Sequence, residues 1–354
     1  MRLTVLNVAY PLSPVSQDAI GGGEQIVCHL DRAIVRAGHR SIVIACEGSQ
    51  VDGDLVTVAS VHGALDDNAI EAARRRHAEA ISRVLASEPI DVVHMHGPDF
   101  HAYLPRPGVP VLVTLHCPIN WYASEGLQTT RPQTWFNCVS RSQQSDFRPQ
   151  AALLSPIENG VPIDEPPRII RKRRFALMLC RISRDKGVHL GIKAAKLAGI
   201  PLLIAGKVFA FADHLRYFEE EVRPALDGER CFIGPADLAA KRRLLATARC
   251  LLVPALAAET SSLVAREALA AGTPVIGFPQ GALTEVIEHG RTGFLVRSAD
   301  EMAAAIRQSV SIDPESCRRA AREHFSLTAM TRRYLSVYET IVGNSRRQLR
   351  LGAA

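Results

Sequence analysis

The chain has 354 residues, a length that at about 150 residues per domain predicts two domains. With 47% hydrophobic and 22% charged residues, its composition is that of a globular protein and excludes wholesale disorder. The net charge of +6 suits an anionic small molecule or a membrane surface at least as well as nucleic acid, and an aromatic content of 5% argues against a stacking platform for single strands.

Short β-branched runs alternate with amphipathic helical patterns in the first half of the chain. The first run, LTVLNVA, is broken by Pro11 and is interpreted as a strand, not a signal peptide. Buried strands joined by helices indicate a parallel, doubly wound sheet. The predicted strands are 3–9, 41–46, 90–96, 109–116 and 135–140, and the predicted helices are 24–37 and 69–87.

The stretch 157–174 is rich in proline and glycine and then strongly basic, which indicates an interdomain linker. The alternation then restarts and predicts a second sheet of the same kind, with ligands beyond the carboxyl ends of the strands. No run approaches 18 apolar residues, so no transmembrane helix is expected. The predicted strands are 175–182, 201–207, 230–236, 250–256 and 273–278, and the predicted helices are 188–197, 237–247, 263–271 and 327–341.

Two glutamates flank the start of the helix predicted at 263–271. Glu259 lies in the loop before it, Ser261 or Ser262 is expected to cap it, and Glu267 lies one turn inside. A helix N-terminus suits a phosphate, and a carboxylate at Glu267 suits two vicinal hydroxyls such as those of ribose. A helix cap with a surface glutamate explains the same pattern, and the spacing alone leaves both interpretations open.

Two further segments combine a strand end or a loop with a following helix. Arg181 and Lys186 are placed to neutralise a diphosphate, although by themselves they are more typical of a solvated basic turn. Residues 21–23 are three glycines before a helix, which permits close approach of a ligand. They match neither GxGxxG nor a P-loop, so a simple turn is the other interpretation.

Three histidines end predicted strands: His94 and His96 share one face of their strand, and His116 ends the next. With Asp99 and His101 nearby, a metal site is one hypothesis. His116 also suits an acid–base group or a hydrogen-bond donor. For all three, a strand-end histidine bonded to backbone is the plainer alternative.

Other polar features favour structural interpretations. Asp52-Gly53-Asp54 resembles a metal-binding DxD, but it lies in a polar, hairpin-like stretch and an Asp-Gly turn is favoured. The basic run 168–174 is interpreted as a solvated linker face, with an anionic membrane surface as the alternative. The eight scattered cysteines contain no CxxC pair, which favours reduced thiols in a cytosolic protein over disulfides or zinc.

The E-x7-E pattern of Glu259 and Glu267, followed by ALAAGTPVI, resembles the family 4 retaining glycosyltransferases of GT-B fold. Further segments agree in order over nearly the whole chain. They are the glycine loop 21–23, DVVHMHG (91–97), TLH (114–116), NCVSRSQ (137–143), NGV (159–161), R-x4-K (181–186), FIG (232–234) and GALTEVIEHGRTGFLV (281–296).

The resemblance implies a fold of two Rossmann-like domains facing a central cleft. Residues 1–160 would bind the acceptor and 161–326 the nucleotide sugar, and the helix at 327–342 would pack back on the first domain. It implies a UDP-sugar as first choice of donor, a GDP-sugar as second, and a sugar, lipid or small-molecule hydroxyl as acceptor. The product would belong to glycan, glycolipid or glycosylated-metabolite synthesis.

The resemblance also implies roles for individual residues. Arg181 and Lys186 would clamp the diphosphate, Glu259 would contact the transferred sugar, and Glu267 would bind the ribose. His116 would lie near the acceptor and the anomeric carbon. The remaining contacts would be Gly22 and Gly23 with the phosphate, Leu263 and Val264 N–H groups with the diphosphate, and Ile233 and Gly234 with the base.

As the family implies, transfer would proceed with retention by front-face attack, with no metal and no cofactor besides the donor substrate. We expect a cytoplasmic monomer or homodimer with no nucleic-acid partner. A peripheral contact with the inner face of the membrane is a further hypothesis. The alternatives are a catalytically silent GT-B nucleotide-binding protein and a GT-B epimerase.

One departure concerns Ser261-Ser262, where relatives usually have an aromatic or small residue and then glycine. The Ser262 hydroxymethyl would narrow the sugar pocket or donate to phosphate. Cys117 follows TLH where many relatives have aspartate.

Overall fold

The computed structural model describes residues 2–61, 63, 66–147, 152–163 and 170–352, with side chains up to residue 345. The chain divides into two compact units. Unit 1 comprises Met1–Glu158 together with Ala329–Ala354, and unit 2 comprises Asn159–Thr328. The boundary predicted from the sequence lies between residues 160 and 161. Residues 164–169 of the linker expected at 157–174 lie outside the described residues.

Unit 1 is built on a sheet of seven described strands. They are β1 (Thr4–Val8), β2 (Arg40–Cys46), β3 (Asp54–Val58), β4 (Val92–Met95), β5 (Val111–Leu115), β6 (Thr134–Cys138) and β7 (Ala152–Leu153). All pairings are parallel and the order is β3-β2-β1-β4-β5-β6-β7, so the order reverses between β1 and β4. β4 and β5 are buried throughout, which explains their continuous apolar runs.

The helices of unit 1 before residue 158 are α1 (Gly22–Arg36), α2 (Asp67–Ser87), α3 (Ser124–Leu127) and α4 (Arg141–Ser145). α1 buries Ile26, Leu30 and Ile34, which recur every four residues and therefore lie on one face. Asp66 caps α2 by accepting a hydrogen bond from Ala69 N over 2.8 Å. α1 and α2 each begin two residues before the predicted start.

Unit 2 is built on a second all-parallel sheet, so the predicted pair of doubly wound sheets is confirmed. Its described strands are β8 (Ala176–Leu179), β9 (Leu202–Ala205), β10 (Arg230–Gly234), β11 (Cys250–Val253), β12 (Val275–Gly277) and β13 (Gly293–Leu295). The order is β10-β9-β8-β11-β12-β13, which reverses between β8 and β11.

The helices of unit 2 include several that the sequence patterns did not predict. They are α5 (Val188–Ala198), α6 (Ala212–Tyr217), α7 (Leu238–Thr247), α8 (Leu263–Ala270), α9 (Leu283–Val286), α10 (Ala299–Gln308) and α11 (Pro314–His324). α6, α9, α10 and α11 were not predicted, and neither were strands β3, β7 and β13. β3 is an exposed edge strand with one buried residue, Val58, and so has little apolar pattern. It is parallel to β2, which corrects the hairpin-like interpretation of that stretch.

The last helix, α12 (Leu327–Gly352), is longer than the predicted 327–341. The backbone of its first residue is hydrogen-bonded within unit 2, because Leu327 N donates to Val161 O over 3.0 Å. From Ala329 onwards it belongs to unit 1, where Tyr334 and Tyr338 are fully buried. Among the described residues, no helix is both long and apolar enough to cross a membrane.

Candidate functional site

Two loops of unit 2 carry Arg181, Lys186, Glu259 and Ser262, and they follow β8 and β11, the strands between which the order reverses. In parallel α/β sheets this position is where ligands bind. Arg181 lies two residues after β8, on a turn that Gly187 ends. Gly187 has φ +63°, and a Cβ there would lie 2.1 Å from the carbonyl oxygen of Pro254. The two loops are therefore in contact, and only glycine fits at 187.

Lys186 pairs with the first glutamate of the E-x7-E motif. Its Nζ donates a hydrogen bond of 2.6 Å to Glu259 Oε1, and both side chains are mostly buried. Burial opposes the charge of the lysine, but the carboxylates of Glu259 and Asp185 together outweigh it, so the pKa of Lys186 is raised. Asp185 lies 3.9 Å from Lys186 and 3.8 Å from Arg181, so both cations lie beside one carboxylate. Lys186 is therefore a cation at neutral pH.

The backbone of Glu259 is held by Gly281. Ala282 N donates to Glu259 O over 2.7 Å, and a parallel β-bridge joins Glu259 to Gly281. Gly281 has φ +60°, and a Cβ there would lie 2.3 Å from Glu259 O. The motif beginning at Gly281 thus positions Glu259 through main-chain contacts.

The start of α8 differs from the expected serine cap. Ser262 occupies the N-cap position with φ +54° and ψ +65°, and its side chain makes no capping hydrogen bond. Within the described residues, the buried hydroxyls of Ser261 and Ser262 have no hydrogen-bond partner. The helical ladder begins with Ala265 N, so the N–H groups of Leu263 and Val264 have no acceptor within the helix. This end of α8 therefore carries several unsatisfied donors.

Glu267, the second glutamate of the motif, pairs with a lysine that no sequence motif singled out. Lys241 Nζ of α7 donates to Glu267 Oε1 over 2.6 Å, and both side chains are less than one-fifth exposed. Because the two residues lie on different helices, 26 positions apart, no local pattern signals the pair. A carboxylate has further lone pairs, so Glu267 still accepts hydrogen bonds from a ligand.

Arg266, also missed, lies between the two glutamates in sequence and is fully buried. Its Nε donates to Ser261 O over 3.0 Å, and its Nη1 donates to Asn159 O over 2.8 Å. Its guanidinium carbon lies 4.5 Å from the centre of the Phe325 ring. Arg266 therefore fixes the loop before α8 from inside unit 2.

Ile233 and Gly234, the expected base contacts, end the edge strand β10, which β9 separates from β8. Ile233 is 46% exposed. Gly234 has φ +74°, and no atom within 4 Å would meet a Cβ there. This strand end is thus open, and no described contact joins it to Glu267.

Gly22 and Gly23 of unit 1 lie in the first turn of α1, and Gly21 is the N-cap. The expected glycine loop is therefore the start of the helix itself. A Cβ at Gly23 would lie 3.6 Å from Cγ of His116, which directly follows β5. The fold thus brings Gly23 and His116 together.

A chain of hydrogen bonds fixes the tautomer of His116. Asn7 Nδ2 donates to Ser41 Oγ, so its Oδ1 accepts from Nε2–H of His96 over 3.4 Å. His96 Nδ1 then bears the lone pair and accepts from Nε2–H of His116 over 3.0 Å. The Nδ1 atom of His116 accordingly carries a lone pair. Burial lowers the pKa of His116 to about 4, so the ring is neutral at physiological pH.

His94 belongs to a second network that includes the last helix. Its Nε2 lies 2.7 Å from Thr114 Oγ1, which donates to Asn137 Oδ1 over 2.6 Å. Its Nδ1 lies 2.8 Å from the hydroxyl of Tyr338. Burial holds the pKa values of His94 and His96 well below the ordinary value. Their partners are side chains, which corrects the expectation of backbone partners.

The remaining polar features have structural partners. Asp99 bonds to Tyr103 and Arg74, and the described residues include no group of three His, Cys, Asp or Glu side chains suited to a metal ion. Asp52 pairs with Arg32 over 3.0 Å and Asp54 pairs with Arg40 over 2.9 Å. The eight cysteines, all within the described ranges, form no disulfide.

Part of the basic run is anchored to unit 2. Arg168 lies outside the described residues, and Lys172 Nζ donates to Ala246 O and Ala271 O over 2.9 and 3.2 Å. Burial lowers the pKa of Lys172 to about 8, so this residue departs from the expected solvated face. A groove of about 690 Å³ adjoins it; Ile170, Arg171, Arg173, Arg174 and Arg249 line this groove.

Comparison with known families gives two matches that follow one another along the chain. Residues 20–165 match the model of "Glycosyltransferase Family 4", and residues 162–324 match the model of "Glycosyl transferases group 1". The chain is 27% identical to a phosphatidyl-myo-inositol mannosyltransferase of Mycolicibacterium smegmatis, over 93% of each chain.

Solved glycosyltransferases have the same fold. AviGT4, a glycosyltransferase involved in avilamycin A biosynthesis, superposes with a TM-score of 0.70 and 24% identity, covering 96% of this chain and 98% of that one. HepE of Anabaena, solved in complex with UDP-glucose, gives a TM-score of 0.69 at 17% identity, covering 96% of this chain and 100% of that one.

Proposed function

The chain belongs to the group 1 glycosyltransferases of family 4 and has their GT-B fold, and from this premise we propose that it transfers a sugar from a nucleotide diphosphate sugar to a hydroxyl acceptor. The donor we propose is a UDP-sugar first and a GDP-sugar second. A neighbour in fold, HepE, was solved with UDP-glucose, which supports this order. Transfer would retain the anomeric configuration and need no metal.

The observation that carries the proposal is the pairing of Lys186 with Glu259 beside the start of α8. Lys186 and Arg181 supply positive charge, and the N-terminus of α8 adds unsatisfied N–H donors with the positive end of its dipole. Together they suit the two phosphates of the donor. Glu267, fixed by Lys241, is suited to accept hydrogen bonds from the ribose hydroxyls.

The proposed chemistry follows from where charge develops. When the bond from the anomeric carbon to the diphosphate oxygen breaks, negative charge grows on the leaving group, and Arg181, Lys186 and α8 stabilise it. The acceptor hydroxyl attacks from the same face and forms the new bond to the anomeric carbon. Its proton passes to the departing phosphate oxygen, so a separate protein base is unnecessary.

His116 of unit 1 would act as a neutral group in this reaction. Its pKa of about 4 makes it a poor proton donor or base at neutral pH. With its Nε2–H directed to His96, its ring would lie beside the acceptor without exchanging a proton. Gly23 lies beside the ring, since a Cβ at this position would lie 3.6 Å from Cγ of His116.

A donor panel tests the proposal. Thermal unfolding is followed with UDP-, GDP-, ADP- and dTDP-sugars in EDTA, since a ligand of the folded state raises Tm by mass action. The product's anomeric configuration is then read by NMR. Glu267→Gln should raise the donor KM about tenfold or more while kcat changes little, since about 1.4 kcal/mol of ground-state binding is lost. The exposed Glu229→Gln is the matched control, and a strict requirement for added Mg²⁺ contradicts the metal-independent part.

The basic groove supports a second proposal, a peripheral contact with an anionic membrane surface. Arg171, Arg173 and Arg174 are exposed along it. Co-sedimentation with phosphatidylglycerol vesicles should exceed that with phosphatidylcholine vesicles and fall in Arg171→Gln/Arg173→Gln. Equal sedimentation with both lipids contradicts it.

A further inference from the structure

Unit 1 contains a cavity of about 420 Å³ beyond the carboxyl ends of β1, β4 and β5. Its volume lies within the range of about 300–1,000 Å³ that small-molecule sites have. These strands flank the reversal of strand order in the unit 1 sheet, the usual position of a ligand. The residues that give the cavity its chemistry are Tyr10, Arg74, Asp99, His101, Trp121 and Tyr122.

One wall of the cavity is an exposed aromatic ring on a fixed loop. Trp121 is 55% exposed, although a large apolar side chain in a loop usually packs against its own unit. The loop that carries it is held in place, because Trp121 N donates to Pro118 O and the buried Tyr122 hydroxyl accepts from Cys117 N. A rigid indole face suits the apolar C–H face of a sugar ring.

Another part of the lining consists of polar groups that are hydrogen-bonded to one another. Asp99 accepts from the Tyr103 hydroxyl over 2.7 Å and from Arg74 Nε over 2.9 Å, which fixes its carboxylate. Burial, followed by the Asp99 charge, raises the pKa of Tyr10 to about 12, so its hydroxyl stays protonated. The cavity therefore offers both donors and acceptors to a ring with several hydroxyls.

Carboxylates outnumber the permanent cation around the cavity. Arg74 lies between Asp99 and Glu71, whose Oε2 is 3.7 Å from Arg74 Nη1. His101 Nε2 lies 4.0 Å from Glu125 Oε1. A cation that two carboxylates already face attracts a phosphate less strongly. Among the described lining residues, the one permanent cation is compensated by carboxylates, so the cavity does not favour an anion.

We propose that this cavity binds an uncharged, hydroxyl-rich ring, a neutral sugar or cyclitol, as the acceptor. Trp121 packs against its apolar face, Tyr10 and Asp99 bond to its hydroxyls, and the compensated Arg74 gives no preference for a phosphate. The identification of the ring as the acceptor rests on the proposed glycosyl transfer; the preference for a neutral ring does not.

The chain offers a built-in reporter for the test. It has two tryptophans, so Trp135→Phe leaves Trp121 as the only one. The fluorescence of this variant is titrated without donor, using matched probes: methyl α-glucoside against glucose 6-phosphate, and myo-inositol against myo-inositol 1-phosphate. At least one neutral probe should give saturable quenching with a Kd of about millimolar order, and its phosphate should bind about fivefold or more weakly. Tighter binding of the phosphates, or no saturable response to any probe, overturns the proposal.

A charge variant tests directly whether the carboxylates beside Arg74 weaken the binding of phosphates. Glu71→Gln removes one carboxylate beside Arg74 at an exposed position, so folding should be unaffected. The ratio of the phosphorylated probe's Kd to the neutral probe's Kd should fall by about twofold or more, because one carboxylate fewer faces Arg74. Asp99→Asn should shrink it further, with circular dichroism as the folding check. An unchanged ratio in Glu71→Gln contradicts the charge argument.

Transfer assays separate this proposal from the proposed function. If neutral probes bind at Trp121 but no nucleotide sugar supports transfer, the proposed glycosyl transfer is wrong and the proposed ligand class of the cavity is confirmed. If transfer occurs and Trp121→Ala leaves the acceptor KM unchanged, the cavity proposal fails and the function stands. Trp135→Ala is the control for loss of an indole elsewhere in unit 1.

Discussion

Lys186 and Glu259 form a mostly buried ion pair, with 2.6 Å between Nζ and Oε1. The two residues are 73 positions apart and are brought together where the loop after β8 meets the loop after β11. The pair leaves each charge with a partner before any ligand arrives. The raised pKa of Lys186 means that the lysine remains charged throughout the neutral range.

Lys186→Met should lower both stability and turnover. The Glu259 carboxylate loses its partner, so the free energy of unfolding should fall by about 3 kcal/mol in urea denaturation. Turnover should fall about 100-fold or more, since a donor to the leaving group is lost.

The double variant Lys186→Met/Glu259→Gln separates the two roles. With both charges removed, stability should return toward that of the wild type, because no unpaired charge is left buried. Activity should stay low. Recovery of activity together with stability means that the pair has only a structural role.

Ser262→Gly should stabilise the protein. Ser262 has φ +54°, a left-handed conformation that costs a residue with a Cβ about 1 kcal/mol, and glycine adopts it readily. Within the described residues its hydroxyl has no hydrogen-bond partner, so removing it sacrifices no hydrogen bond. Thermal unfolding should show a higher Tm. The neighbouring Ser261→Gly, which has no left-handed backbone to relieve, should lower Tm, and a Tm decrease in both contradicts the strain argument.

His96 is expected to act as a positioning residue for His116. In His96→Asn the side-chain oxygen still accepts from His116 Nε2–H, whereas His96→Leu leaves that group without its acceptor. kcat/KM should fall about tenfold or more in the leucine variant and about threefold or less in the asparagine variant. Long-range ¹H–¹⁵N NMR should show one His116 tautomer in the wild type and a mixture in His96→Leu. A single tautomer in both excludes the positioning role, and the exposed His324→Asn is the control.

Acid should destabilise the protein through buried histidines. Burial lowers the pKa values of His77 and His116 to about 4, while in the unfolded chain both titrate near about 6.5. Between these values the unfolded state binds more protons, so the free energy of unfolding falls as pH decreases from about 6.5 to about 4. Each residue contributes about 3 kcal/mol to this loss.

Urea denaturation at pH 7.5, 6 and 5 measures the acid effect. His77→Phe should flatten the pH dependence, because phenylalanine keeps the ring next to Tyr103 and has no titrating group. The exposed His324→Phe should leave the slope unchanged. Equal slopes in the wild type and His77→Phe contradict the assignment to His77.

Much of the fold was predictable because buried parallel strands are continuous apolar runs. β3 was missed because it is an exposed edge strand, and α11 was missed because its buried residues are only the small side chains Cys317, Ala320 and Ala321. Local periodicity reports burial of one element against a sheet. It says little about strands and helices that bury few side chains.

The candidate residues were predictable, but their partners largely were not. Motif spacing singled out Glu259 and Glu267, yet Lys241 reaches Glu267 from a neighbouring helix. His94 and His96 were expected on one face, but the hydroxyl that bonds His94 belongs to Tyr338, 244 residues away. Serine before a helix indicates a side-chain cap, but Ser262 has a left-handed backbone and makes no capping hydrogen bond.

The position of α12 has a consequence for biosynthesis. Most of unit 1 precedes unit 2 along the chain, but its buried Tyr334 and Tyr338 follow unit 2 and are therefore made after it. Until they leave the ribosome, the nascent unit exposes the core face around His94 and Thr114 that these tyrosines cover. Domains generally fold in the order of synthesis. Here unit 2 can complete its core first, and a premature stop codon before residue 334 would leave the earlier-made unit without its closing helix.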